Sequence, residues 1–262
     1  MAPGSIDLAA AYQQQAQAKE RPMNAELLQV FDRICIINLP SRRDRREAVV
    51  DEFARLGLQV DGKRVRFVDG VRPSHAAGFP NIGAHGCFLS HLQILVAAQA
   101  DGVQRLLVLE DDVMFMPHKG DSSALLPALQ GDAWHIAYPG HVQAAEGGPL
   151  RWLLTQAPLV CAHCYALHAQ ALPLAIAHLQ ACLSRPSGHP LGSPMHYDGA
   201  LTLLRRQHPE LRTLLASRSL AGQRSSRSDI IGPSWLDNIP IPNLAPLARA
   251  MRNGWRRLAA GF

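Results

Sequence analysis

Three short, largely apolar runs separated by two stretches of helical periodicity set the tightest limit on how this chain folds. The runs are 33–39 (RICIINL), 65–68 (VRFV) and 105–109 (RLLVL). Between the first two lies SRRDRREAVVDEFARLGL, where Val49, Val50, Phe53 and Leu56 recur at helical spacing and Gly57 supplies the stop. Between the second and third lies 86–100 (GCFLSHLQILVAAQA), helical and apolar on most sides, hence buried. Near-continuous apolar strands alternating with helices argue for a parallel sheet covered on both faces. Such sheets bind ligands beyond the carboxyl ends of their strands. The third run passes directly into Glu110-Asp111-Asp112, so three carboxylates are expected at that edge.

The second half is less regular. Residues 134–138 and 159–167 read as strands, 169–183 as a helix, 197–207 as a helix and 211–216 as a strand. A Gly/Pro loop runs to residue 149, and 184–194 (SRPSGHPLGSP) is a turn-rich connection. The expected organisation is one α/β domain over 29–243 with a mostly parallel central sheet. An Ala/Gln-rich lead-in, frayed or helical, occupies 1–28, and a tail occupies 244–262.

Composition excludes several classes. Of 262 residues, 47% are apolar and 18% charged, which is globular rather than disordered. No run approaches the ~18–20 apolar residues of a membrane span. The first residues lack a charged segment followed by an apolar one, so no signal peptide is expected and the location reads as cytoplasmic. The net charge of +5 would fit a nucleic-acid binder if it were spread over the body, but it is local. Residues 204–228 carry six arginines against one acid, and 244–262 carry four arginines and no acid. The remainder is net acidic, and no nucleic-acid partner is expected. Five cysteines, Cys35, Cys87, Cys161, Cys164 and Cys182, are an odd set lying mostly in apolar runs. Reduced, buried thiols suit them better than a disulfide scaffold. Cys161-Ala-His-Cys164 lacks a second ligand pair at zinc spacing and reads as part of a buried strand.

The acidic triplet is the sharpest chemical signal. Adjacent carboxylates repel, and a hard divalent cation such as Mn²⁺ or Mg²⁺ relieves the repulsion while sharing oxygen ligands with a phosphate substrate. Glu110 and Asp112, two apart, share a face if strand geometry persists. A solvated turn or a helix cap is the alternative use of such a triplet.

The ordered set CIINLPSRRDRR, FVDG, GCFLSH and LVLEDDV, spanning 34–113, resembles glycosyltransferase family 25. This group comprises lipopolysaccharide and lipooligosaccharide biosynthesis glycosyltransferases and is related to collagen galactosyltransferases. The resemblance implies a GT-A-like (Rossmann-like) fold and an inverting transfer. It implies a UDP-sugar donor, galactose most often, a metal of the Mn²⁺ type and a glycan or glycolipid acceptor. Carried over residue by residue, Asn38, Asp44, Arg45, Asp69, Gly70, Ser90, His91 and Asp111 become donor-binding candidates, and Glu110 and Asp112 metal ligands, with Asp112 also counted as catalytic. Asn38 and Asp44 have plainer uses, closing a strand-end turn and capping a helix. Ser90 and His91 equally suit a packed helix, and Asp69-Gly70 an ordinary turn. The segment AWHIAYPGH resembles a further family segment, WDL.YLG, but has His135 in place of the acid and Pro139 in place of the Leu.

Three assignments rest on the residues themselves. A direct displacement needs a carboxylate to take the acceptor's proton; Asp198, opening a helix after a flexible connection, is the candidate, with His196 and Asp229 as alternatives. Arg224 and Arg227, within QRSSRSD, suit a diphosphate because guanidinium presents a rigid two-pronged donor set; a solvated face is the alternative. In the tail, Leu244, Leu247, Met251, Trp255, Leu258 and Phe262 recur at helical spacing with arginines elsewhere around the wheel. This basic amphipathic helix either anchors to an anionic membrane surface or docks on the domain. With the resemblance and the Arg- and Ala-rich composition, it implies a bacterial enzyme at the cytoplasmic face of the membrane. The other classes weighed are a metal-dependent phosphohydrolase and a degenerate nucleotide-sugar-binding or membrane-docking module.

Overall fold

The computed structural model describes residues 23–116, 124–160 and 162–224. Strands β1 (Arg33–Asn38), β2 (Val65–Asp69), β3 (Arg105–Glu110), β5 (Ile136–Tyr138), β6 (Trp152–Leu154), β7 (Cys164–His168) and β8 (Thr213–Ala216) form one sheet in the order β2-β1-β3-β7-β5-β8-β6. β1 pairs in parallel with β2 and β3, and β5 with β8, whereas β7 and β6 run antiparallel to their neighbours. The sheet is therefore mixed, with five of its seven strands pointing one way. A second, two-stranded sheet joins β4 (Val113–Phe115) to β9 (Ala221–Gln223).

Side-chain alternation along the strands divides the core in two. Cys35, Leu106, Val108, Ile136, Tyr138, Tyr165 and Leu167 face one side, packing with α3 (Ile82–Ala100), α5 (Leu172–Ser184) and α6 (Tyr197–Gln207). Ile34, Ile36, Leu107, Leu109, Ala137 and Ala166 face the other, packing with α1 (Met23–Gln29) and α2 (Arg43–Arg55). A further helix, α4 (Leu126–Gln130), adds Leu129 to that second core. Burial of this kind contributes roughly 1.5–3 kcal/mol per large aliphatic or aromatic side chain. Leu27 and Leu28 of α1 are buried, so the packed core reaches into the lead-in.

Local signals explain most boundaries. The Asn81 side chain accepts a hydrogen bond from the Ala84 amide and caps α3. α2 carries Asp44 in its first turn and Arg55 in its last, matching the helix dipole. The strand expected at 159–167 begins only at Cys164. Leu109 pairs with Cys164, the Glu110 amide reaches the His163 carbonyl, and the chain then turns at Asp111 and Asp112, so residues before His163 have no strand to join. The helix expected at 169–183 opens with a 3-10 turn, Ala169–Ala171. β4, β6, β9 and α4 are three to five residues long, too short to show periodicity.

The parallel register is what builds the site. Asn38 lies opposite Asp69, and Ile37 opposite Glu110, so the carboxyl ends of β1, β2 and β3 finish along one edge. Residues 225–262, which include Arg227, Asp229 and the tail, lie outside the described residues, as does Cys161. Cys35, Cys164 and Cys182 are buried free thiols, and Cys87 is half-buried and also free.

Candidate active site

The aligned strand ends open on a cavity of about 270 Å³. Glu110, Asp111 and Asp112 line it from the end of β3; Arg42 and Arg45 reach it from the start of α2, and Arg72 from the loop after β2. Cys87, Ser90 and His91 line it from α3, and Gln223 from β9. α3 approaches the loop after β2 closely because residue 86 is glycine: a Cβ there would collide with the Val71 carbonyl oxygen.

The three acids play different parts. Asp111 is clamped by two partners: Arg45 donates to one carboxylate oxygen at 2.6 Å and Asn38 Nδ2 to the other at 2.8 Å. Glu110 faces His91, with Oε1 3.6 Å from Nε2, and Gln223 Nε2 lies 3.4 Å from Oε2. Burial pushes the Glu110 carboxyl up, but the adjoining His91 outweighs it and holds the group below its ordinary range. Asp112 has Arg45 at 3.9 Å from Oδ2, while its Oδ1 is buried without a hydrogen-bond partner. Burial first, then the Glu110 charge, push its carboxyl up to about 7. The cluster is thus short of positive charge on the Glu110/Asp112 side. Its oxygen donors and the orphaned Oδ1 fit a hard divalent cation held by these two residues.

Other expected site residues are placed as follows. Gly70 lines the cavity. Ser90 lines it too, but its hydroxyl donates to the Gly86 carbonyl at 2.7 Å and accepts from the Val71 amide at 2.8 Å. It ties α3 to the loop. Asn38 is 1% exposed and acts on Asp111 from behind. Asp44 does not reach the cavity. Its side chain is 66% exposed and takes a two-pronged contact from Arg42 instead, because the first turn of α2 points it outward. Asp69 is exposed at the end of β2, outside the lining. The Arg224 guanidinium turns onto α2, donating to the Ala48 carbonyl and to Glu52 at 3.0 Å. The buried Glu52 carboxylate draws it away from the cavity. Only the Arg224 amide touches the site region, donating to the Asp112 carbonyl at 2.6 Å.

Asp198 stands in the first turn of α6 and accepts a hydrogen bond from the Gly199 amide. It does not line the cavity; its charge contributes to raising the thiol of Cys87, which does, and the Tyr138 phenol. His196 is exposed at the N-cap of α6. Arg42, Arg72 and Gln223 were not singled out from sequence, since lone residues in loops and at short strands carry no pattern. Cys87 and His91, four apart on a helix, had a readable signal: they share a face.

No protein-family model matches the chain. Relatives do. A glycosyltransferase 25 family member of Drosophila melanogaster is 35% identical over 104 residues, covering 34% of this chain and 17% of that protein. The human inactive glycosyltransferase 25 family member 3 is 28% identical over 208 residues, covering 68% of this chain and 32% of that protein. Human procollagen galactosyltransferase 2 is 25% identical over 213 residues, covering 72% and 33%. The chain therefore spans a third or less of the length of these relatives. A solved structure of a glycosyltransferase involved in glycosylating the major capsid of PBCV-1 covers 70% of this chain and 81% of its own at 17% identity, with a TM-score of 0.40. That likeness is too slight to bear on chemistry. In sequence, then, this chain is similar to members of the glycosyltransferase 25 family over between a third and nearly three quarters of its length.

Proposed function

We propose that this chain is a glycosyltransferase that moves a sugar from a UDP-sugar donor, galactose being favoured, to a hydroxyl of a glycan or glycolipid acceptor. The GT-A-like label and a lipopolysaccharide-type acceptor belong to the same proposal. The observation that carries it is Asp112: an orphaned carboxylate oxygen beside Glu110, at the carboxyl ends of parallel strands and on the wall of the cavity. A divalent cation, Mn²⁺ or Mg²⁺, held by Glu110 and Asp112 would supply charge stabilisation of the departing diphosphate. Arg42, Arg45 and Arg72 line the same cavity and suit the diphosphate's negative charge. The acceptor oxygen forms its bond to the anomeric carbon as the bond to the diphosphate breaks, and UDP leaves with the electron pair. A carboxylate takes the hydroxyl proton, Asp198 being the proposed base, and the single direct displacement inverts the anomeric carbon.

The test is UDP release from a panel of UDP-sugars in Mn²⁺ or in EDTA, with glycan acceptors present. Metal-dependent release from one donor, falling about 100-fold or more in Asp112→Ala, is expected, the scale of losing one group that meets developing charge. Release that ignores EDTA, or phosphate release from simple monoesters, would sink the reading.

A degenerate donor-binding module is the second reading. Its support is that one relative carries the name inactive glycosyltransferase 25 family member 3 and aligns over 68% of this chain. Donor binding without turnover on any acceptor is its signature.

A further inference from the structure

Three metal-capable side chains of different chemistry meet on the α3 side of the cavity. Cys87 and His91 stand four residues apart on α3, which puts them on one face, and Glu110 ends the neighbouring strand. One ligand atom from each, the Cys87 sulfur, a His91 ring nitrogen and a Glu110 oxygen, lie within 4.8 Å of one another. We propose that Cys87, His91 and Glu110 form a three-ligand site for a thiophilic divalent cation of the Zn²⁺ class, with its fourth position open to the cavity.

His91 carries the first argument. Its ring is 0% exposed, and Nε2 has no hydrogen-bond partner. Nδ1 is 2.9 Å from the Tyr165 hydroxyl, which in turn is 2.7 Å from that of Tyr197. The ring also stacks on Tyr197, centroids 4.0 Å apart and planes 11° from parallel. This is how a ligating histidine is held: the second nitrogen engages an oxygen, which fixes ring orientation and frees the other nitrogen's lone pair. That lone pair faces Glu110 Oε1 across 3.6 Å, longer than a hydrogen bond. In the tautomer whose Nδ1–H is given to the Tyr165 hydroxyl, Nε2 offers a lone pair, and a cation between it and Oε1 would satisfy both.

Spacing and donor type supply the second argument. A tetrahedron with zinc–ligand bonds of ~2.0–2.3 Å has edges of about 3.3–3.7 Å, and the His91–Glu110 separation already matches. Thiolate, imidazole and carboxylate together suit Zn²⁺, whereas Mg²⁺ and Mn²⁺ prefer all-oxygen sets. Three protein ligands with an open position is the arrangement of zinc sites that take water or a substrate oxygen. Glu110 serves this site through Oε1 and leaves Oε2 toward Gln223. The site does not require the transferase reading.

Co²⁺ titration of the full chain, stripped of metal, tests it. Cobalt reports thiolate ligation directly through a sulfur-to-metal charge-transfer band in the near ultraviolet. One equivalent is expected to produce the band, and Zn²⁺ to displace it. Cys87→Ser should abolish the band, His91→Gln should weaken binding at least tenfold, and Asp112→Asn should leave the band in place. His91 is packed among tyrosines, so its variant is read only if folded; the wild type and the half-buried Cys87→Ser decide the question. No band in the wild type, or a band that survives Cys87→Ser, overturns the inference. Mn²⁺-dependent UDP release without a cobalt band would overturn it while leaving the transferase reading intact.

Discussion

At the scale of single residues, hydrogen-bond saturation separates structural groups from those available for chemistry. Ser90 spends its hydroxyl on the Gly86 carbonyl and the Val71 amide, and Asn38 spends its amide nitrogen on Asp111 while its Oδ1 stays unmatched; Asp112 Oδ1 and His91 Nε2, on residues that line the cavity, are buried with nothing to bind. His141 is a structural case with a pH consequence. Its Nε2 donates to the Ala216 carbonyl at 2.8 Å, and its Nδ1 accepts from the Gln143 amide at 3.2 Å. Both nitrogens are satisfied only in the neutral ring, and burial, the largest influence, holds its pKa below the ordinary 6.5. The unfolded chain binds a proton near 6.5 that the folded chain refuses, so this group's stability is present above that pH and lost as pH falls below it. His141→Gln is expected to flatten the decline in melting temperature between pH 7 and 5. An unchanged slope would show that His141 does not govern it. None of this was legible in the sequence, where His141 is one of 12 histidines.

At the scale of elements, one buried carboxylate ties α2 to the small sheet. Glu52 is 2% exposed and accepts from the Phe115 amide at 2.6 Å, from Arg55 at 2.7 Å and from Arg224 at 3.0 Å. Arg224→Ala removes one of these three donors and leaves Glu52 with Arg55 and the Phe115 amide, so it should cost about 1.5–3 kcal/mol, read as a lower denaturant midpoint. A loss below about 1 kcal/mol would mean that water replaces the guanidinium. The sequence offered Arg224 as a diphosphate ligand because charge is visible in sequence and its partner is not. Glu52 lies 172 residues away in the chain, and only packing brings the two together. Helices and long strands were legible for the opposite reason: periodicity is local. The acidic triplet was legible too, because a strand's end and its carboxylates adjoin in sequence.

At the scale of the whole molecule, charge is divided by function. The described body gathers carboxylates and arginines on one cavity, and among the described residues no helix is long and apolar enough to cross a membrane. The membrane anchor that the sequence offers as one use of residues 244–262 lies outside the described part. Deleting them is expected to reduce co-sedimentation with phosphatidylglycerol vesicles at least several-fold, with little change on neutral phosphatidylcholine vesicles. Equal binding to both, or no change on deletion, would retire the anchor.

The sequence by itself determined the alternation of strands and helices over 33–112, the sheet edge at which a site would form, and three of its acids. Those follow from hydrophobic period and chain adjacency, which are local properties. Only the tertiary structure decided which candidates reach the cavity. It turned Asp44 and Asp69 outward, drew Arg224 onto Glu52, made the sheet mixed through β7 and β6, and set His91 against Glu110 and Cys87. Those outcomes depend on partners distant in sequence, whose pairing is settled by register and by the need to satisfy buried polar groups.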